Sequence, residues 1–138
     1  MTTYSVTKII AFCYGHRLLN YDGKCKFLHG HNGRVEIVVA AERLDGRGMV
    51  VDFGDVKKIV GGFIDEKLDH RMILCKKDPI LALLKERGEP LFEMEDNPTA
   101  ENIAKEIYRY AIGQKLPVSS VKLWETDTSF AVYEEPNQ

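Results

Sequence analysis

Gly33-Arg34-Val35-Glu36-Ile37-Val38-Val39-Ala40-Ala41 decides the fold. Val35, Ile37, Val39 and Ala41 fall on one side of an extended chain, and Arg34, Glu36, Val38 and Ala40 on the other. A period of two marks a strand with one covered face. Ahead of it, Tyr4 to Phe12 alternate more loosely and are rich in β-branched residues. They read as a first strand, with His16 following at its end. Asn20-Tyr21-Asp22-Gly23 reads as a turn or loop. Behind it, Asp45-Gly46-Arg47-Gly48 reads as a hairpin-like turn and Met49-Val50-Val51 as a short return strand.

Phe53 to Leu68 reads as a helix. Phe53, Val56, Ile59, Val60, Phe63, Ile64 and Leu68 form one stripe, and Asp52 can cap the start. Gly61-Gly62 weakens its middle, which a close packing contact would explain. Asp78-Pro79, an apolar run and Gly88 predict a short extra helix near 79–87. Asn97-Pro98-Thr99 opens another helix, with Ile103, Ala104, Ile107 and Ala111 inward. Val121 to Thr126 and Phe130 to Tyr133 read as a final hairpin across Asp127-Thr128-Ser129. Strands, helix, helix, strands: the order predicts an α+β domain, an antiparallel sheet with helices on one face.

A chain of 138 residues, 44% hydrophobic and 29% charged, suits one ordinary globular domain spanning 1–138. A net charge of −2 without a basic block gives no footprint for nucleic acid. The apolar runs are too short to cross a bilayer, and Met1-Thr2-Thr3-Tyr4-Ser5 lacks signal-peptide features. The expected compartment is the cytoplasm. Cys13, Cys25 and Cys75 make a poor disulfide framework and read as free thiols. Cys25, between Lys24 and Lys26, sits where a thiolate is favoured.

The four histidines carry the chemistry. His29 and His31, two apart in a strand, can aim both imidazoles at one metal. His16 supplies a third ligand if the two strand ends are adjacent. Three histidines without a fourth protein ligand make a catalytic zinc site with an open position. With Cys25 as fourth ligand the same residues make a structural zinc site. The bland alternative is a pair of surface histidines.

Phe12-Cys13-Tyr14-Gly15-His16-Arg17-Leu18, Cys25-Lys26-Phe27-Leu28-His29-Gly30-His31-Asn32, Leu68-Asp69-His70, Asn97-Pro98-Thr99-Ala100-Glu101-Asn102 and Glu125-Thr126 occur in a telling order. In that order they resemble the 6-pyruvoyltetrahydropterin synthase family, which includes the bacterial 6-carboxytetrahydropterin synthases. The resemblance implies a tunnelling fold: a four-stranded antiparallel sheet with two helices on one side. It implies trimers that close a barrel, stacked into a hexamer with active sites between subunits. It assigns zinc to His16, His29 and His31, and catalysis to Cys25 with the pair Asp69 and His70. Glu125 would anchor the pterin ring, with Thr99 and Glu101 helping to bind it.

The three residues between Cys25 and His29 match the carboxy-forming branch, which works in queuosine biosynthesis. The expected reaction is conversion of 7,8-dihydroneopterin triphosphate to 6-carboxy-5,6,7,8-tetrahydropterin, with release of acetaldehyde and triphosphate. Glu125-Thr126-Asp127 and Phe130-Ala131-Val132-Tyr133 look more like the pyruvoyl-forming branch. The cysteine spacing weighs more because it places a catalytic group. Three departures stand out. Residues 71–96 exceed the matching stretch of compact members. Tyr14-Gly15 replaces a pair that is commonly Ala-Ala, and Gly33 sits where an aromatic often follows His-Gly-His-Asn.

Each role has a plainer rival. The plainer reading has Asp69-His70 closing the preceding helix and Thr99 capping the next. Two other readings compete with a zinc lyase: a thiol hydrolase built on Cys25 and His70, and a non-catalytic, zinc-stabilised assembly protein.

Overall fold

The computed structural model describes residues 3–136. β1 (Tyr4–His16) and β2 (His29–Ala41) pair antiparallel along their whole lengths, from Tyr4 opposite Ala41 to His16 opposite His29. Directly opposed residues of an antiparallel pair share a face. Tyr14, His16, His29 and His31 therefore stand on the same side as Phe12, Val35, Ile37 and Val39. β5 (Val118–Thr126) pairs antiparallel with β2, and β6 (Ser129–Tyr133) with β5.

The expected four-stranded antiparallel sheet is only part of the fold. β3 (Arg71–Cys75) and β4 (Leu91–Met94) lengthen it to six strands, ordered β4-β3-β1-β2-β5-β6. β3 runs parallel to the end of β1, with Tyr14 opposite Arg71 and His16 opposite Ile73. β4 runs parallel to β3. The sheet is thus mixed, and the longer segment 71–96 extends it beside the histidines. Between β3 and β4 lies α2 (Leu81–Glu86), the short extra helix the sequence predicts. The Asp78 carboxylate accepts from the Ile80 N–H at 2.9 Å, and Gly88 leaves with φ 75°.

Helices cover one sheet face. α1 (Phe53–Val56) starts at Asp52, whose Oδ1 accepts the Gly54 N–H at 2.7 Å. It continues through π-helical turns at Lys57–Gly61 and Ile64–Leu68. The expected plain α-helix is corrected here. Val56, Val60, Ile64 and Leu68 are its buried apolar side chains, each four apart. Such residues drift round a helix of 3.6 residues per turn, and wider turns return them to the sheet. Gly61-Gly62 makes no close packing contact: a Cβ on Gly61 would find its nearest neighbour at 3.7 Å, and one on Gly62 nothing within 4 Å.

α3 (Ala100–Gly113) buries Ile103, Ala104, Ile107 and Ala111, the inner face the sequence predicts. These meet Val121 and Leu123 of β5 and Ile37 of β2 in one cluster. Ile37 is fully buried, and its truncation to alanine costs about 2–5 kcal/mol. Met49-Val50-Val51 is not a return strand. Asp45 folds the loop back by accepting the N–H groups of Arg47 and Met49, while Val50 and Val51 pack on the core. Among the described residues no helix is long and apolar enough to cross a membrane.

Candidate metal centre

β1 and β2 are in register to their ends, so His16 and His29 are neighbours and His31 lies beside them. The ring centroids stand 4.5 Å (His16–His29), 5.1 Å (His16–His31) and 5.0 Å (His29–His31) apart. One ligand nitrogen from each lies within 4.8 Å of the other two. A metal ion can be held there. The tautomers support it. His16 Nδ1–H donates to the Pro98 carbonyl at 2.7 Å, and His29 Nδ1–H to the Phe27 carbonyl at 2.7 Å. Backbone acceptors on Nδ1 leave the Nε2 lone pairs free, the usual outer-shell arrangement of a metal-ligating histidine. All three Nε2 atoms are buried without a hydrogen-bond partner.

Burial holds the His16 pKa down to about 4 despite the raising effect of the Pro98 carbonyl, and His29 and His31 reinforce the shift. Burial likewise lowers His31, against the raising pull of Glu125, with His29 adding to the depression. His16 and His31 are therefore neutral near pH 7, the form that coordinates a metal.

Glu125 faces this cluster from β5. Its Oε2 lies 3.7 Å from His16 Nε2 and 3.8 Å from His31 Nε2. The β5–β6 ladder slips between Trp124 and Thr126, leaving Glu125 in the irregularity. A bulge of this kind re-aims a side chain. Glu125 and Glu101 also line one cavity of about 300 Å³, with Ala100 and Phe130 beside them. Thr99 caps α3, its Oγ1 accepting the Asn102 N–H at 3.1 Å. That plainer role is what its geometry displays.

Asp69 and His70 close the helical segment that ends at Leu68 and lock onto the open edge of β1. The Cys13 N–H donates to Asp69 Oδ1 at 2.9 Å, and the His70 N–H donates to the Cys13 carbonyl at 2.7 Å. His70 Nδ1–H donates to Asp69 Oδ2 at 2.7 Å. His70 has φ 59°, a left-handed conformation that this double anchorage holds. Burial opposes the ionisation of Asp69, but the Cys13 and His70 hydrogen bonds hold its carboxyl below the usual range. His70 opens onto a cavity of about 570 Å³ that His29 and His31 also line.

Cys25 is half-buried on a single 3-10 turn (Lys24–Lys26), whose Cys25 carbonyl accepts the Leu18 N–H at 2.8 Å. Its sulfur does not join the histidine cluster. Three supporting groups lie outside the predicted site residues. The Pro98 carbonyl orients His16. Asn97 clips this segment to β1's exit, exchanging hydrogen bonds of 2.8 Å with both the N–H and the carbonyl of Leu19. Tyr14 stands at the base of the cluster, its ring centroid 5.3 Å from that of His16. Alternation along β1 from His16 was the one available signal, and it applies to Tyr14 alone.

The 6-pyruvoyl tetrahydropterin synthase family model matches residues 5–136. A Rickettsia felis protein named 6-carboxy-5,6,7,8-tetrahydropterin synthase is 42% identical over 131 residues, covering 90% of this chain and 95% of its own. A Haemophilus influenzae protein of the same name is 34% identical, covering 96% and 99%. Among solved structures, an uncharacterized protein from Wolinella succinogenes superposes with a TM-score of 0.83 at 27% identity, over 99% of this chain and 100% of that one. The 6-pyruvoyl tetrahydropterin synthase of Caenorhabditis elegans gives 0.74 at 22% identity, over 99% and 98%, a likeness of fold. Sequence kinship runs from the first strand to past the last, through every strand that carries a histidine of the cluster. The chain belongs to the 6-pyruvoyl tetrahydropterin synthase family.

Proposed function

We propose that this chain converts 7,8-dihydroneopterin triphosphate and water to 6-carboxy-5,6,7,8-tetrahydropterin, acetaldehyde and triphosphate, with zinc at His16, His29 and His31. The observation that carries this reading is the convergence of three orphaned Nε2 atoms with the Glu125 carboxylate facing them. The relatives named 6-carboxy-5,6,7,8-tetrahydropterin synthase support the choice of product.

The donor set fits zinc: three converging imidazoles, two with Nδ1 fixed by carbonyls, and no cysteine sulfur among the clustered ligand atoms. Zinc held there would acidify a substrate hydroxyl and polarise the adjoining carbon–oxygen bond. Glu125 accepts two parallel hydrogen bonds from the amino group and ring N–H of the pterin. Glu101, on the shared cavity, borders the ring, and Thr99 holds that end of α3. Cys25, as thiolate, takes a proton from the substrate side chain. His70 moves a proton on the opposite side, and Asp69 fixes its tautomer and stabilises its charged form. These shifts carry hydrogen from side chain to ring, triphosphate is eliminated, and water adds across the cleaved carbon–carbon bond, leaving a carboxylate on C6 and releasing acetaldehyde.

Within one chain Cys25 lies outside the ligand cluster, and His70 shares only a cavity wall with His29 and His31. A homo-oligomer, trimer or hexamer, brings them to a neighbour's histidines. Two strand edges suit such pairing: β1 ahead of Cys13 has no strand on its β3 side, and β6 ends the sheet. The whole chain, 1–138, is read as one pterin-synthase domain, working in the cytoplasm with its three cysteines free.

The test is incubation of the zinc-loaded protein with 7,8-dihydroneopterin triphosphate and mass analysis of the products. Recovery of 6-carboxytetrahydropterin with acetaldehyde supports the reading. Recovery of 6-pyruvoyltetrahydropterin moves the chain to the other branch, and no turnover defeats both.

A further inference from the structure

Among the described residues, four buried side-chain polar atoms lack a hydrogen-bond partner: Nε2 of His16, His29 and His31, and the hydroxyl of Tyr14. A shared metal ion accounts for the first three. It does not account for the fourth. Buried hydroxyls are nearly always paired, and an unpaired one at a functional site calls for an explanation.

Tyr14 is held firmly where it is. It is 3% exposed, two residues before His16 on β1 and opposite His31 in the ladder. Its ring centroid lies 5.3 Å from that of His16 and 5.6 Å from that of His31. Phe12 stacks on it at 5.1 Å. Gly33 makes the room: a Cβ there would lie 3.0 Å from a Tyr14 ring carbon. The large residue at 14 and the missing side chain at 33 are therefore one packing solution. The hydroxyl cannot swing out to water without breaking it.

We propose that the Tyr14 hydroxyl is a substrate-binding group, donating a hydrogen bond to a side-chain oxygen of the pterin held at the three-histidine site. This rests on the function proposed above and adds a specificity element to it. The argument is by elimination. The imidazole nitrogens are committed to the ion, and the Glu125 carboxylate to the N–H edge of the ring. An oxygen on the ligand is the acceptor that remains for a donor buried against His16 and His31. The site thereby selects pterins that carry an oxygen on the C6 side chain over those with a plain alkyl group.

The experiment uses zinc-loaded protein and two probes, 7,8-dihydroneopterin and 6-methyl-7,8-dihydropterin, with affinities measured by calorimetry. Tyr14→Phe should bind dihydroneopterin about tenfold more weakly, the worth of one hydrogen bond. It should bind the methyl compound as the parent protein does, with unchanged zinc content and no loss of melting temperature. A double variant, Tyr14→Leu with Gly33→Phe, refills the space from the other strand without a hydroxyl and should show the same lost discrimination. Equal binding of dihydroneopterin by parent and Tyr14→Phe overturns the inference, as does an equal loss for both probes, which would mean packing alone. Failure of the zinc-loaded parent to bind either pterin instead overturns the proposed function, and this inference with it.

Discussion

Glu125 and His16 face one another across β2, with Oε2 of the carboxylate 3.7 Å from Nε2 of the imidazole. The same oxygen lies 3.8 Å from His31 Nε2, so one carboxylate flanks the cluster without joining its ligand set. It can balance a cation there and still reach the cavity it shares with Glu101. Replacing Glu125 by Gln separates these roles. The amide keeps one acceptor oxygen and presents a donor where the second stood. Facing two pterin N–H groups, it loses a charge-assisted hydrogen bond and gains a clash of donors. Turnover in kcat/KM should fall about a hundredfold or more, while zinc affinity changes less than tenfold. Near-normal kcat/KM in Glu125→Gln would remove Glu125 from pterin recognition.

Asn97 controls the metal centre without touching it. Its side chain fastens the backbone of Leu19, and its own carbonyl accepts Asn102 Nδ2–H at 2.9 Å. Pro98, next in the chain, offers the carbonyl that fixes His16. In Asn97→Ala that carbonyl loses its anchor. Zinc affinity should drop about 10- to 100-fold, the usual cost of removing an outer-shell partner. Stability of the metal-free protein should fall by about 1–3 kcal/mol. Competitive chelator titration reads the first effect and denaturant unfolding the second. Full zinc affinity in a destabilised variant would show that the clip serves only the fold.

Acid should act through the same histidine. The His16 pKa is 6.5 in the unfolded chain and about 4 in the folded one. Between those values the unfolded chain holds the proton and the native state does not. Stability is therefore fully present above pH 6.5 and declines as the pH falls to 4, by roughly 3 kcal/mol for the whole shift. Asp78 acts lower down. The hydrogen bond from Arg17 holds its carboxyl below 3.8, so its contribution persists above 3.8 and is lost only under stronger acid. Thermal melts of the metal-free protein across this range should show the decline, and His16→Asn should flatten it. Zinc competes with protons for the same nitrogens, so the rise in Tm on adding zinc should shrink over the same interval. A parent protein whose Tm is level between pH 6.5 and 4 contradicts this account.

The parts of the fold that were legible in the sequence are those with a local signal. β2 showed its period of two, and α3 its cap and inner stripe. β3 carried no such signal. Ile73, Leu74 and Cys75 are all buried, so neither face alternates, and the strands it joins lie far away in sequence. The π-helical widening of 57–68 follows from packing on the sheet, and propensity says nothing of it. At the site, His29 and His31 were legible as strand neighbours. The approach of His16 needed the register of β1 on β2, which no spacing within the motif supplies. The Pro98 carbonyl left no trace because a backbone acceptor has no residue signature. Glu125 turns toward the imidazoles at the slip between Trp124 and Thr126, an irregularity of the ladder with no local signal in the sequence.

The glycines beside the metal ligands should differ sharply in their tolerance of a side chain. A Cβ on Gly15 would meet the tip of Met72, at 2.7 Å from Cε and 2.8 Å from Sδ. That tip is flexible and can turn aside, which leaves the His29 carbonyl oxygen of β2 at 3.3 Å to give by a few tenths of an ångström. A Cβ on Gly30 would stand 3.0 Å from the Tyr14 carbonyl oxygen, an atom of the β1 backbone. Relief there requires β1 and β2 to separate between His29 and His31, the strand positions that set the imidazole spacing. Gly30→Ala should therefore cost about 1–3 kcal/mol, the usual penalty for overpacking, and weaken zinc binding as well. Gly15→Ala should cost less than about 1 kcal/mol and leave zinc affinity nearly intact, since its closest contacts are a flexible side-chain end and its nearest backbone contact, at 3.3 Å, is looser than that of Gly30. Unfolding curves and chelator titrations on the two variants decide it. If Gly15→Ala proves the more damaging, the close approach of Gly30 to the Tyr14 carbonyl is not what sets the spacing of the histidines.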